Sequence, residues 1–361
     1  MGSRLLPFLD VTRRGAPKVG GLLLLACLCL LPAGCGPSNV RYEAAPIDSL
    51  GAWSVDWDQR RGLDEISANP GLFDRISVFA AYFDGEGNLF LAPEWVRALS
   101  DPAAPPRSLG VPLYLCVVND RVAKGAEKRK DPALVNRFLG DPAARAEHVR
   151  QILALAEGRG FSGVELDYEN VLEADWPRYL AFLPELRDAL AARGLSLSVV
   201  LEPKRRYLGH ALPQGIDYTV MGYNLFGSHS GPGPKATPTF LASLAASLRA
   251  IGGLDRCALA LATGGFDWRE GKAVKSLTES DAERLARSVG CSPGRDPESG
   301  YRTCSYDDAQ GRRHEVWYAD GATFATLWDA ARTAGFRKLY VWRLGGNEPD
   351  LFTMLKGGKK K

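Results

Sequence analysis

The chain is short of the residues that build metal and nucleotide sites. Its 361 residues include four histidines, none near a cysteine at ligand spacing, so no resident metal is expected. No GxGxxG follows a strand-like run, and no dinucleotide or other cofactor is expected. Charge of one sign is not in excess either. Lys and Arg total 45 against 42 Asp and Glu, for a formal net charge of +3. With no basic stripe interleaved with aromatics, nucleic acid is not an expected partner. The terminal GGKKK (357–361) reads as a solvated tail. A composition of 45% hydrophobic and 24% charged residues excludes disorder for most of the chain and supplies ample material for a core.

No apolar run is long enough to span a bilayer comfortably, but one at the N-terminus suits a signal sequence. Arg13, Arg14 and Lys18 precede GGLLLLACLCLLPAG, which has the length of a signal h-region. The protein is therefore expected to be exported, with residues 1–35 as the signal and 36–50 as a linker. The run ends at Cys35 in LPAGC, which resembles a bacterial lipoprotein signal, although Pro32 stands where leucine is usual and Leu31 lies one residue too early. Lipidation of Cys35, and a membrane association through that anchor, is the expectation; simple cleavage at another site is the alternative. Of seven cysteines, four fall in the mature part. Cys291 and Cys304 share a polar, Gly-rich stretch and are expected to pair, closing a short loop worth roughly 3 kcal/mol. Cys116 and Cys257 lie in apolar runs and read as small buried hydrophobes.

After the linker, strand-length apolar runs alternate with helical patterns. Strands are expected at 53–57, 76–83, 111–118, 163–169, 195–202, 217–224, 257–263 and 338–344. Segments such as AARAEHVRQILALAEGRG and TFLASLAASLRAIGG carry apolar residues at helical spacing and end in glycine. Strand followed by helix, repeated, means a parallel sheet. Eight strands predict an α/β fold of the (β/α)8 TIM barrel type over 51–356. The rhythm breaks between the seventh and eighth strands, where an inserted α+β-like subdomain is expected at about 266–318. An insert after a barrel strand belongs on the catalytic face.

Along GVELDYE, alternation sends Val164, Leu166 and Tyr168 one way and Glu165, Asp167 and Glu169 the other. If Val164 and Leu166 pack on helices, the acids point into the barrel, where unpaired charge is costly without a purpose. Carboxylates about 6.5–7 Å apart along a strand discourage each other's ionisation, which suits a general acid. A glycosidic oxygen needs such an acid in order to depart.

FSGVELDYE resembles the DGxDxDxE signature of glycoside hydrolase family 18, with Gly163, Asp167 and Glu169 matching while Ser162 and Glu165 replace aspartates. MGYN (221–224) is similar to the family's MxYD, and YVWRLGG (340–346) resembles the segment around its eighth-strand tryptophan. VFAAYFDGEGNLF, LATGGFDW and HEVWYAD add further echoes, covering roughly residues 52–355. They look most like bacterial spore cortex-lytic and peptidoglycan-processing glucosaminidases.

The resemblance implies that Glu169 is proton donor and later base, that Asp167 steadies the acetamido nitrogen of the substrate, and that Tyr223 donates to the acetamido carbonyl. Asn224 stands in for an aspartate and supplies no charge. Glu165 keeps a carboxylate able to share a proton with Asp167, and Ser162 marks a buried strand start whose change affects stability more than chemistry. Trp342 is the expected floor of the sugar subsite, with Trp57 and Tyr82 as further substrate-binding candidates. The implied activity is hydrolysis of β-1,4-linked N-acetylglucosamine polymers, peptidoglycan ahead of chitin, by a monomeric enzyme. A catalytically silent glycan-binding barrel and an endo-acting enzyme on N-glycans are the alternatives.

Overall fold

The computed structural model describes residues 45–359, apart from 104, 124–126 and 204–206. Cys35, the signal segment and most of the linker lie outside the described residues.

Buried apolar runs bounded by turns make the strands β1 (Ser49–Val55), β2 (Arg75–Phe83), the short β3 (Leu89–Leu91), β4 (Leu113–Arg121), β5 (Gly163–Asp167), β6 (Ser196–Leu201), β7 (Asp217–Met221) and β8 (Cys257–Ala262). After β8 come β9 (Gly264–Arg269), β10 (Lys272–Leu277), β11 (Gly294–Arg295), β12 (Arg302–Asp307) and β13 (Arg313–Ala319), and β14 (Lys338–Trp342) follows. Eight of them pair in parallel in the order β1-β14-β8-β7-β6-β5-β4-β2, and β1 pairs back onto β2. The ring is closed, a (β/α)8 barrel. β3 is an antiparallel hairpin partner of β2.

The first strand begins four residues earlier than the sequence suggested. It ends at Val55, which leaves Trp57 in a 3-10 turn instead of a strand. The helices are α1 (Gln59–Ala68), α2 (Pro93–Ser100), α3 (Pro132–Gly140), α4 (Pro142–Ala156), α5 (Trp176–Ala191), α6 (Pro238–Ala250), α7 (Glu279–Ser288), α8 (Gly321–Ala334) and α9 (Pro349–Gly358), of which α7 lies between β10 and β11. Several start on side-chain caps. Asp141 accepts from Ala143 N ahead of a proline at the first helical turn, and Asp320 with Thr323 forms a capping box.

The strands β9–β13 form a second, antiparallel sheet in the order β10-β9-β13-β12-β11, with α7 packed on it. Leu277, Ala282, Ala286, Val316 and Tyr318 give it its own small core. Cys291 and Cys304 are joined, their Cα atoms 6.2 Å apart. Cys116 and Cys257 are free and buried.

Both faces of the parallel sheet are covered, so every residue of β5 is buried. Val164 and Leu166 pack outward, and the Tyr168 hydroxyl meets His148 Nε2 of α4 at 2.8 Å. Glu165 and Asp167 point inward. The lower interior is a polar layer. Glu165, with no exposure, accepts from Trp53 Nε1 at 2.7 Å and from Arg75 at 3.4 Å, with the Ser198 hydroxyl also at 3.4 Å. Arg75 donates to Tyr340 Oη at 2.9 Å, and that hydroxyl lies 2.6 Å from Ser77 Oγ. Gly51 makes this layer possible, because a Cβ there would fall 2.0 Å from the Tyr340 ring.

Two expectations change here. Glu165, expected near substrate and sharing a proton with Asp167, is engaged instead by Trp53 and Arg75 and has no exposure. Ser162, expected to be buried, is exposed, with its amide donating to Leu113 O.

Candidate active site

The ends of β4, β5, β7 and β14 meet at the C-terminal mouth of the barrel, the face on which barrel enzymes assemble their sites. The β4–β5 ladder ends at the Val118–Asp167 pair, yet Glu169 is held beyond it. Asn119 continues the ladder with its side chain: its Oδ1 accepts from Glu169 N at 2.9 Å and its Nδ2 donates to Glu169 O at 2.8 Å.

Two residues before the acid, Asp167 is 5% exposed and its Oδ1 has no hydrogen-bond partner. Burial, reinforced by the nearby Glu169 charge, holds its carboxyl well above the ordinary range and favours the protonated form. Burial also raises Glu169, and Glu202 and Asp120 add to that. Lys130 works against them, with its Nζ 2.5 Å from Glu169 Oε2. The sequence suggested that repulsion along the strand would be the main cause of a raised acid; desolvation is the larger one.

Lys130 was invisible in the sequence. It sits in the loop after β4, in a charged stretch that reads as solvated surface. The loop is tied back by Lys130 N donating to Asp120 Oδ1 at 2.7 Å and Asp131 N to Asn119 O at 2.8 Å. Lys130 adopts φ +52°, in the left-handed region, with its side chain turned onto the acid.

Tyr223 follows Gly222 at the end of β7. A Cβ on Gly222 would stand 2.8 Å from Ala260 O, so the glycine lets the chain hug β8 and carry Tyr223 over the mouth. Tyr223 is 6% exposed, and burial ahead of the Asp167 and Glu169 charges keeps its hydroxyl protonated far above the usual tyrosine range. Asn224 is exposed at φ +69°, a conformation asparagine tolerates better than most residues.

Trp342 ends β14 and lies nearly parallel to Tyr223, their rings 6.3 Å apart. Trp53 and Phe79 press edge-on against it at 5.5 and 5.1 Å. Beside it opens a cavity of about 310 Å³ whose lining includes Trp57, Lys235, Thr263 and Arg343. Trp57 is 59% exposed, an unusual position for so large a ring, with Phe79 at its edge and the Arg343 guanidinium 5.8 Å from its centre. Tyr82 is placed differently. It is buried, and its hydroxyl donates to Asp56 Oδ1 at 2.7 Å, so it braces the β1–β2 corner instead of facing the cavity. Glu165, Tyr82 and the disulfide thus stand apart from the group formed by Asp167, Glu169, Tyr223 and Trp342. Among the described residues, no cluster of three or more His, Cys, Asp or Glu is arranged to hold a metal ion, and no helix is long and apolar enough to cross a membrane.

No family model matches the chain. The putative sporulation-specific glycosylase YdhD of Bacillus subtilis (strain 168) is 26% identical over 224 residues, covering 58% of this chain and 53% of that protein. The chain spans about half the length of YdhD and of the cortical fragment-lytic enzyme of the same organism. Among solved structures, the Bacillus cereus spore cortex-lytic enzyme SleL superposes with a TM-score of 0.75 at 19% identity, covering 88% of this chain and 75% of that one. A class V chitinase from Nicotiana tobaccum in complex with NAG4 gives 0.69 at 15% identity, covering 86% and 99%. In fold and in sequence, the chain is similar to the chitinase-like proteins of glycoside hydrolase family 18.

Proposed function

We propose that the protein is a glycoside hydrolase that cleaves β-1,4-linked N-acetylglucosamine-containing polysaccharide, peptidoglycan ahead of chitin, with retention of configuration through the substrate's own acetamido group. The observation that carries this reading is Asp167, buried with an unpartnered oxygen two residues before Glu169, at the mouth where Tyr223 and Trp342 lie nearly parallel.

The free Asp167 Oδ1 offers an acceptor to an acetamido N–H, and the Tyr223 hydroxyl a donor to the acetamido carbonyl. In the first step that carbonyl oxygen attacks C1 while Glu169 protonates the departing glycosidic oxygen, giving an oxazolinium ion and a shortened chain. Asp167 gains its value as positive charge grows on the acetamido nitrogen. Water then adds to C1 as Glu169 takes its proton, and the acetamido group is regenerated. Trp342 provides an apolar face on which a sugar ring stacks. The signal-like N-terminus supports an envelope location for such an enzyme, with Cys35 as its lipid attachment.

Replacing Glu169 with Gln tests the assignment. The variant is expected to fold and to lose release of reducing ends from peptidoglycan and chitooligosaccharides by at least about a hundredfold. Unchanged release would sink the reading. A silent glycan-binding barrel is favoured by two features, Asn224 in place of a carboxylate and the Lys130 clasp on the acid. Binding of these glycans by the unsubstituted protein without turnover would select it.

A further inference from the structure

Among the described residues, the cations at the mouth differ in whether a carboxylate meets them. Arg61 and Arg343 also line the cavity beside Trp342, and both have a carboxylate partner, which they share: Arg61 makes two 2.7 Å hydrogen bonds to Asp58, and Arg343 donates to it at 2.7 Å. Asp281, a further charged group in the lining, is engaged by Arg284.

Lys235 differs. It is 8% exposed, on the segment leading into α6, and its Nζ donates to Thr263 O at 2.9 Å with the Phe266 ring centre 5.2 Å away. An ammonium has three N–H donors. Among the described residues no carboxylate lies within ion-pair distance of this one. Burial, and then the Arg343 charge, hold its pKa down at about 7. A buried ammonium without a counter-ion is costly and gains strongly from an anion brought to it.

We propose that Lys235 receives a carboxylate carried by the glycan itself, so that the preferred substrate is an N-acetylated strand whose sugars bear ionised carboxyl groups, over a neutral polymer of the same length. This rests on the glycosidase reading above and narrows its substrate. In peptidoglycan, the lactyl carboxyl of the muramic sugar has this chemistry only when no peptide is attached to it, because the amide is uncharged. Amide hydrolysis that strips the peptide is therefore the class of reaction that supplies the substrate. Carboxylates on the stem peptide have the same chemistry, and the experiment separates the two sources.

Dissociation constants are measured by calorimetry on the full chain carrying Glu169→Gln, which is expected to bind without turnover, and on the same chain with Lys235→Met added. The probes are chitotetraose, a peptide-free tetrasaccharide of alternating N-acetylglucosamine and N-acetylmuramic acid, and its peptide-bearing counterpart, each at pH 6 and pH 8. The peptide-free strand is expected to bind about tenfold more tightly than chitotetraose at pH 6. Since the ammonium is lost through pH 7, the gap narrows at pH 8. Lys235→Met is expected to erase it, whereas Lys235→Arg keeps it at both pH values. Arg61, Arg343, Asp58 and Asp281 are present in every variant, so their contributions cancel in the comparison.

Equal affinity for charged and neutral strands, or a gap that survives Lys235→Met, would overturn the proposal. Binding of the peptide-bearing strand as tight as the peptide-free one would overturn the sugar carboxylate in favour of the stem peptide. Turnover by the unsubstituted protein is followed on the same probes. Cleavage of none of them would count against the glycosidase reading and leave the affinity comparison standing.

Discussion

Two carboxylates two residues apart on β5 live in opposite circumstances. Glu165, in the lower interior, is wrapped by Trp53, Arg75 and Ser198. Asp167, one layer up, is just as dry but keeps an oxygen with no partner. Burial alone therefore does not distinguish a structural acid from a chemical one. What distinguishes them is whether the protein has already spent the group's hydrogen-bonding capacity. Glu165 is satisfied by its protein neighbours, whereas Asp167 leaves open the acceptor that the proposed reading gives to the substrate.

The sharpest way to break that comparison is at the lower layer. Arg75→Met leaves Glu165 buried without its cation and is expected to cost about 3–5 kcal/mol of stability in urea unfolding. A loss below about 1 kcal/mol would show that Trp53 and Ser198 suffice to hold the charge. Asp167→Asn keeps the size and removes the ability to carry charge. Its expected effect is a fall of about 10²–10³ in kcat, with little change in the unfolding midpoint. A large stability change there, with activity intact, would invert the contrast between the layers.

Lys130→Met gives the smallest effect. Lys130 favours the ionised form of Glu169, so removing it raises the acid further, and the alkaline limb of kcat/KM is expected to move up by about one to two pH units. A purely structural lysine would lower activity without moving that limb.

Much of the barrel was legible because its signal is local. Each apolar run was long enough to name a strand, and alternation alone turned Glu165, Asp167 and Glu169 toward one side. The roles within that side were not legible. Glu165 is paired with Arg75 from the start of β2 and accepts a hydrogen bond from Trp53 of β1, partners 90 and 112 residues away whose meeting depends on ring closure. Lys130 and Lys235 belong to loops without periodicity, where a lysine in a polar stretch looks like any solvated one. Trp57 and Tyr82 look alike in the sequence, each an aromatic close to the end of a strand-like run. The end of β1 after Val55 separates them, putting Trp57 at the cavity and Tyr82 on Asp56.

The Asn119 clamp has a further consequence. Its one side chain grips the backbone of Glu169 at both ends, and its main-chain carbonyl receives Asp131 N from the loop that carries Lys130. The acid and its counter-charge thus hang from a common peg, and a drift of the β4 tip carries both of them the same way. Burial raises the proton affinity of the acid and Lys130 opposes it, and that opposition is held in place by the one side chain of Asn119.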